Sequence, residues 1–135
     1  MTSIKNNIEI LSKIELKSAT IGLRSDGIIQ FLVKSNIGVT VEDAREMVDA
    51  AGKLGGEKKH LILIIAGKYA LADKETREFA ASSEGNKYTI AGAFVIRSLA
   101  QRILGNAYIK VNKPLTPTAL FYKEEDAVNW LKKFL

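Results

Sequence analysis

The sequence predicts an α/β fold: a mixed, mainly parallel sheet of about five strands, with an antiparallel hairpin strand near its N-terminal end and four helices. Three observations carry this. Residues 60–66, His-Leu-Ile-Leu-Ile-Ile-Ala, are continuously apolar after His60, the pattern of a central strand covered on both faces. Beyond it, β-prone runs alternate with helical patterns, which favours parallel strands joined by right-handed crossovers. Near the N-terminus, Asp26-Gly27 separates two β-prone runs, and both residues tolerate the positive φ of a tight hairpin turn.

Taken in order, residues 13–23 place Ile14, Leu16, Ile21 and Leu23 in partial alternation and predict the first strand, with 28–33 its antiparallel return. Gly38-Val39-Thr40 introduces the first helix, with Thr40 as N-cap and Asp43 as the acidic partner of a capping box. Ala44, Met47, Val48 and Ala51 recur at helical spacing toward the sheet, and Gly55-Gly56 ends the helix. After the central strand come a loop over 68–72 and a second helix over about 73–83, with Asp73 as N-cap and Glu75 in its first turn. Residues 88–96 predict the next strand, in which Gly92 marks a close packing contact or a local bend.

The third helix spans about 98–110. Its Leu99, Ala100, Ile103, Leu104, Ala107 and Tyr108 spread wider than the roughly 100° stripe needed to cover one sheet. Pro114 and Pro117 bracket a connection to a last strand over 118–122 and a last helix over 124–135. That helix opens on Glu124, Glu125 and Asp126 and closes on Lys132-Lys133, matching its macrodipole. The order is β-β-α-β-α-β-α-β-α, and no repeat, low-complexity tract or long linker divides it, so 1–135 reads as a single domain.

With 47% hydrophobic and 26% charged residues, the 135-residue chain has the balance of an ordinary globular protein and enough length to bury a core. It contains no cysteine, which excludes disulfides, thiolate catalysis and Cys-based zinc sites. One histidine, His60 at the strand edge, cannot build a multi-histidine centre, so no metal or cofactor is expected. The net charge of +5 is dispersed: Lys53, Lys58, Lys59, Lys68 and Lys74 are interrupted by Glu57, Asp73 and Glu75. Such mixing reads as a solvated surface, and no aromatic stacking platform accompanies it, so nucleic acid is not an expected partner. Residues 1–7 lack the apolar stretch of a signal peptide, and the longest apolar run, 61–66, is too short to span a bilayer. A cytoplasmic protein without membrane insertion is expected.

The last third carries Ile109-Lys110-Val111-Asn112-Lys113-Pro114, then Leu120-Phe121-Tyr122, Glu125-Asp126-Ala127 and Trp130-Leu131. A strand ending in Phe, a short acidic turn and an Ala-x-x-Trp-Leu helix resemble the small stand-alone bacterial STAS/SEC14-type proteins. The element order over nearly the whole chain resembles the STAS domain, whose fold is also called SpoIIAA-like. Read physically, Ala127, Trp130, Leu131 and Phe134 share one helical face, making Trp130 a core anchor.

The resemblance implies a non-catalytic protein-interaction or regulatory module, self-associating as a homodimer and docking an unidentified protein. Its expected partner surface is the loop and second helix, with Lys68, Tyr69, Asp73, Lys74 and Arg77. In phospho-regulated STAS antagonists a serine at the start of the helix after the central strand is the switch. Here residues 67–75 contain no serine and the first hydroxyl on the helix is Thr76, so that switch does not carry over. The alternative function is binding of a small apolar or lipid-like ligand, suggested by the SEC14 side of the resemblance and by the wide apolar fan of the third helix. Leu104 and Tyr108 of that fan are the expected dimer face. Arg97, between a strand end and a helix start, is a candidate anion contact beside the amides of 98–100. The paired carboxylates Glu42/Asp43 and Glu124/Glu125 sit where helix caps explain them, and no nucleophile, base and orienting group can be assembled, so no enzyme is expected.

Overall fold

The computed structural model describes residues 7–135. At its N-terminal edge, β1 (Ile10–Glu15) and β2 (Ala19–Arg24) pair antiparallel, and β2 pairs antiparallel with β3 (Ile29–Val33). The predicted single strand over 13–23 is therefore two strands. The turn between them closes with Leu16 N–H donating to the Ala19 carbonyl at 2.8 Å. The physical reason is parity. Ile14 and Leu16 are even-numbered, Ala19, Ile21 and Leu23 odd-numbered, yet all five pack toward one core, which a single strand of period two cannot achieve. The expected Asp-Gly turn forms, with Gly27 at φ 85°. Arg24, buried beside it, donates through Nε (3.1 Å) and Nη2 (2.9 Å) to Asp26 in a bidentate pair.

The chain then crosses through the short β4 (Gly38–Val39) and α1 (Val41–Leu54) to the central β5 (His60–Ile65). Thr40 and Asp43 make the capping box, Asp43 N–H donating to Thr40 Oγ1 at 3.1 Å and Thr40 N–H to Asp43 Oδ2 at 3.0 Å. The expected loop over 68–72 contains β6 (Leu71–Ala72), paired parallel with β4. Next come α2 (Lys74–Ala81), β7 (Thr89–Val95), α3 (Leu99–Ala107), β8 (Thr118–Phe121) and α4 (Glu124–Leu131). The main sheet has six strands in the order β1-β2-β3-β5-β7-β8, parallel from β3 onward. The third helix stops three residues short of expectation and widens into a π-turn, Tyr108–Asn112, closed by Lys113 at φ 52°.

The central strand is covered on both faces, as its unbroken apolar run requires. Leu61, Leu63 and Ile65 pack with Ala91, Ala93 and Val95 under α4, where Ala127 and Leu131 are fully buried. Trp130 extends that layer between Phe121 (ring centroids 5.8 Å) and Phe134 (4.8 Å), the anchoring role its spacing predicts. Ile62 and Ile64 point to the opposite face, where Ile21, Ile29 and Phe31 meet Met47, Ala50 and Ala51 of α1. No helix among the described residues is long and apolar enough to cross a membrane.

Candidate functional site

One helix covers the first face of the sheet, but the second face is shared by α1, α2 and α3, and these do not meet over its middle. A cavity of about 240 Å³ remains between them. Its floor is Phe31, Ile62, Ile64, Gly92, Phe94 and Leu120, drawn from four adjacent strands. Its roof includes Met47 of α1, Phe79 and Ala80 of α2, and Leu104 and Tyr108 at the end of α3. The space exists because small residues stand where large ones would fill it. Gly92 is neither a close packing contact nor a bend: a Cβ built on it would meet only Ile64 Cδ1, at 4.0 Å.

The polar side chains on this wall divide into two groups. Most are spent. Gln101, buried in α3, donates through Nε2 to the carbonyls of Gly67 and Ala70, 2.9 Å each, while its Oε1 accepts from Arg97 N–H at 2.7 Å. Asn86 donates to the carbonyls of Ala80 (2.9 Å) and Ser82 (2.8 Å) and accepts from Thr116 Oγ1 at 2.7 Å. Thr76 Oγ1 lies 2.9 Å from the Val39 carbonyl and 2.6 Å from Asp73 Oδ1. Three side chains keep unused groups. Thr89 makes no side-chain hydrogen bond among the described residues. Arg77 Nη1 donates to the Ala72 carbonyl at 2.6 Å, but its Nε is buried with no hydrogen-bond partner among the described residues. Tyr108, packed edge-on against Phe94 at 5.8 Å, has a hydroxyl with no partner among the described residues; burial pushes its pKa up, so it stays a neutral phenol able to donate or to accept.

The residues predicted as a partner surface separate accordingly. Lys68, Tyr69, Asp73 and Lys74 are exposed along the segment leading into α2. Lys68 Nζ stands 5.2 Å from the Tyr69 ring, and Tyr69 holds a left-handed φ of 65°. Asp73 caps α2 by accepting from Thr76 N–H at 2.8 Å, and the Thr76 hydroxyl followed by that amide holds its carboxyl below the usual range. Arg77 leaves this surface and is half-buried on the cavity wall. Leu104 and Tyr108, expected at a dimer face, also line the cavity. Tyr108 is only 8% exposed, and the side chains that α3 presents to solvent are Leu99 (69%) and Ile103 (58%). Arg97 is exposed at the end of β7, where it borders a polar depression with Lys68, Tyr122 and Glu124. Glu124 is drawn to Arg24 at 3.5 Å. Among the described residues no group of three or more His, Asp or Glu comes together that could hold a metal ion.

Sequence reasoning missed Gln101 and the meaning of Gly92. The one available signal for Gln101 was a long polar residue inside the apolar fan of α3.

Comparison with known proteins bears on the fold. The family described as "Domain of unknown function (DUF7793)" matches residues 21–135. No curated protein matches the chain. Among solved structures, the chain is similar to an uncharacterized protein of the DUF3478 family with a SpoIIAA-like fold from Shewanella loihica PV-4. The identity is 16%, with 92% of this chain and 93% of that one covered and a TM-score of 0.56. The SpoIIAA-like fold implied by the resemblance is thus the fold of this chain. A protein of unknown function from Arthrobacter sp. FB24 is 22% identical over 87% of this chain and 95% of its own, but its TM-score of 0.27 supports no argument.

Proposed function

The chain belongs to the DUF7793 family, and from its own geometry we propose that it is a non-catalytic module binding one small, largely apolar molecule between its sheet and helices. The observation that carries this is the cavity over Gly92, walled by Phe31, Ile64, Phe94, Phe79 and Leu120. Concave, mostly apolar sites with a few unpaired polar groups are where small ligands bind. The polar side chains that meet it are held by backbone groups or by one another, apart from Arg77 Nε and the hydroxyls of Tyr108 and Thr89, an arrangement suited to orienting a ligand rather than to transforming it.

A regulatory, protein-interaction role is the second reading, and one contact favours it. Ala70 and Leu71 line the cavity, and Gln101 ties the Gly67 and Ala70 carbonyls to α3. A ligand therefore touches the loop that bears exposed Lys68 and Tyr69, so occupancy and partner docking share one segment. Self-association belongs to this reading, with exposed Leu99 and Ile103 as its surface in place of Leu104 and Tyr108.

Native mass spectrometry of protein purified without denaturation tests the first reading. An added mass that leaves with organic solvent is expected. Protein that is bare, and that also takes up no 1-octanol, would sink it. For the second reading, reversing the charge of Lys68 and Lys74 should abolish capture of a partner, and unchanged capture would refute that surface.

A further inference from the structure

We propose, resting on the apolar-ligand reading above, that the ligand is a monocarboxylate whose head is read by the Nε edge of Arg77 and whose apolar body occupies the cavity over Gly92. The ligand should bring an acceptor, because Arg77 Nε, buried with no hydrogen-bond partner among the described residues, can only donate. It belongs to a cation. No aspartate or glutamate lines the cavity. Although the two Thr76 hydrogen bonds and, after them, the charge of Arg77 lower the pKa of the Asp73 carboxyl, no carboxylate stands within ion-pair distance of Arg77 among the described residues. A buried guanidinium edge without an acceptor is costly, and an anionic ligand removes that cost.

The geometry of the guanidinium narrows the anion. Nη1 is anchored on the Ala72 carbonyl at 2.6 Å, which leaves the parallel Nε and Nη2 hydrogens as the edge without a hydrogen bond among the described residues. That edge matches the two oxygens of a carboxylate. A single cation suits a single negative charge better than a phosphate dianion. Arg77 is half-buried while Ile64 and Gly92 lie at the floor, so a head at Arg77 and a body over the sheet fit an amphiphile. Size sets the body. An apolar cavity of about 150 Å³ holds benzene, so by proportion the cavity here takes about ten non-hydrogen atoms. Octanoate has that size.

Isothermal titration of the full chain with octanoate and with 1-octanol, which shares the chain but not the charge, tests this. Octanoate should bind roughly tenfold or more tightly than 1-octanol, the range of a charge-assisted pair. Arg77→Gln should bring octanoate down to the level of 1-octanol while leaving 1-octanol unchanged. Arg77→Lys, which keeps the charge but loses the fork, should recover only part of the difference. Equal binding of the two probes to the native protein would overturn the carboxylate assignment and leave the apolar-ligand reading standing. Binding of neither would remove both.

Discussion

Gly92 of β7 pairs in register with Ile62 of β5, yet it is Ile64, two residues further along β5, whose Cδ1 is the one heavy atom of the described residues within 4 Å of where a Gly92 side chain would begin. A glycine at the middle of a buried strand is normally a weak point, lacking contacts and costing backbone entropy. Here it holds a space open. Gly92→Val should therefore stabilise the ligand-free protein, by about 0.5–2 kcal/mol as cavity-filling changes commonly do. Chemical denaturation reads this directly, and a destabilised variant would mean the space is smaller than described.

Gly67 predicts the opposite sign. A Cβ there would run into the Val33 carbonyl oxygen and the Lys34 backbone, atoms that cannot rotate away. Gly67→Ala should cost about 1–3 kcal/mol or more, the range of overpacking, in the same denaturation assay that shows Gly92→Val to be stabilising.

Gln101→Leu should loosen the loop ahead of α2. It keeps the volume but leaves the Ala70 carbonyl and Arg97 N–H unpaired, at about 1–3 kcal/mol for each group that stays buried, and removes one of the two hydrogen bonds to the Gly67 carbonyl. Hydrogen exchange at Ala70, whose amide donates to Gly67 at 3.1 Å, should speed up selectively. Exchange that rises equally throughout the chain would instead indicate global destabilisation.

Asp73 links the α2 cap to pH. Its folded-state pKa is depressed, so the stability it contributes is present above its unfolded value of about 4 and is lost as pH falls through the lower folded value. The stability gap between the native protein and Asp73→Ala should be full at neutral pH and narrow below about pH 4. A gap independent of pH over that range would show that the cap does not depend on the ionised carboxylate.

The opposite face of the sheet is conventionally packed. Leu131, fully buried beside Ala127 under β5 and β7, should cost about 2–5 kcal/mol as Leu131→Ala. Its urea midpoint is the check, and a near-neutral result would contradict the packing of α4 on this face.

Much of this fold is legible in residue order because its signals are local. The unbroken run after His60 needs helices on both sides, Asp26-Gly27 fits one kind of turn, and Thr40 and Asp43 sit at capping-box spacing. The missed β1–β2 turn left a fainter trace, a change of parity between Leu16 and Ile21. The candidate site was less legible, since it depends on what stands opposite. Nothing local to Gly92 tells a tight contact from an empty one. The fan on α3 likewise does not say which edge faces inward. The assembled structure turns Leu104 and Tyr108 in and leaves Leu99 and Ile103 out.

Native mass spectra of the wild-type chain and of Gly92→Val, each exposed to octanoate under identical conditions, test ligand binding over Gly92 most directly. One octanoate per wild-type chain and none on the variant is the predicted result. Equal uptake by both proteins, or none by either, would contradict it.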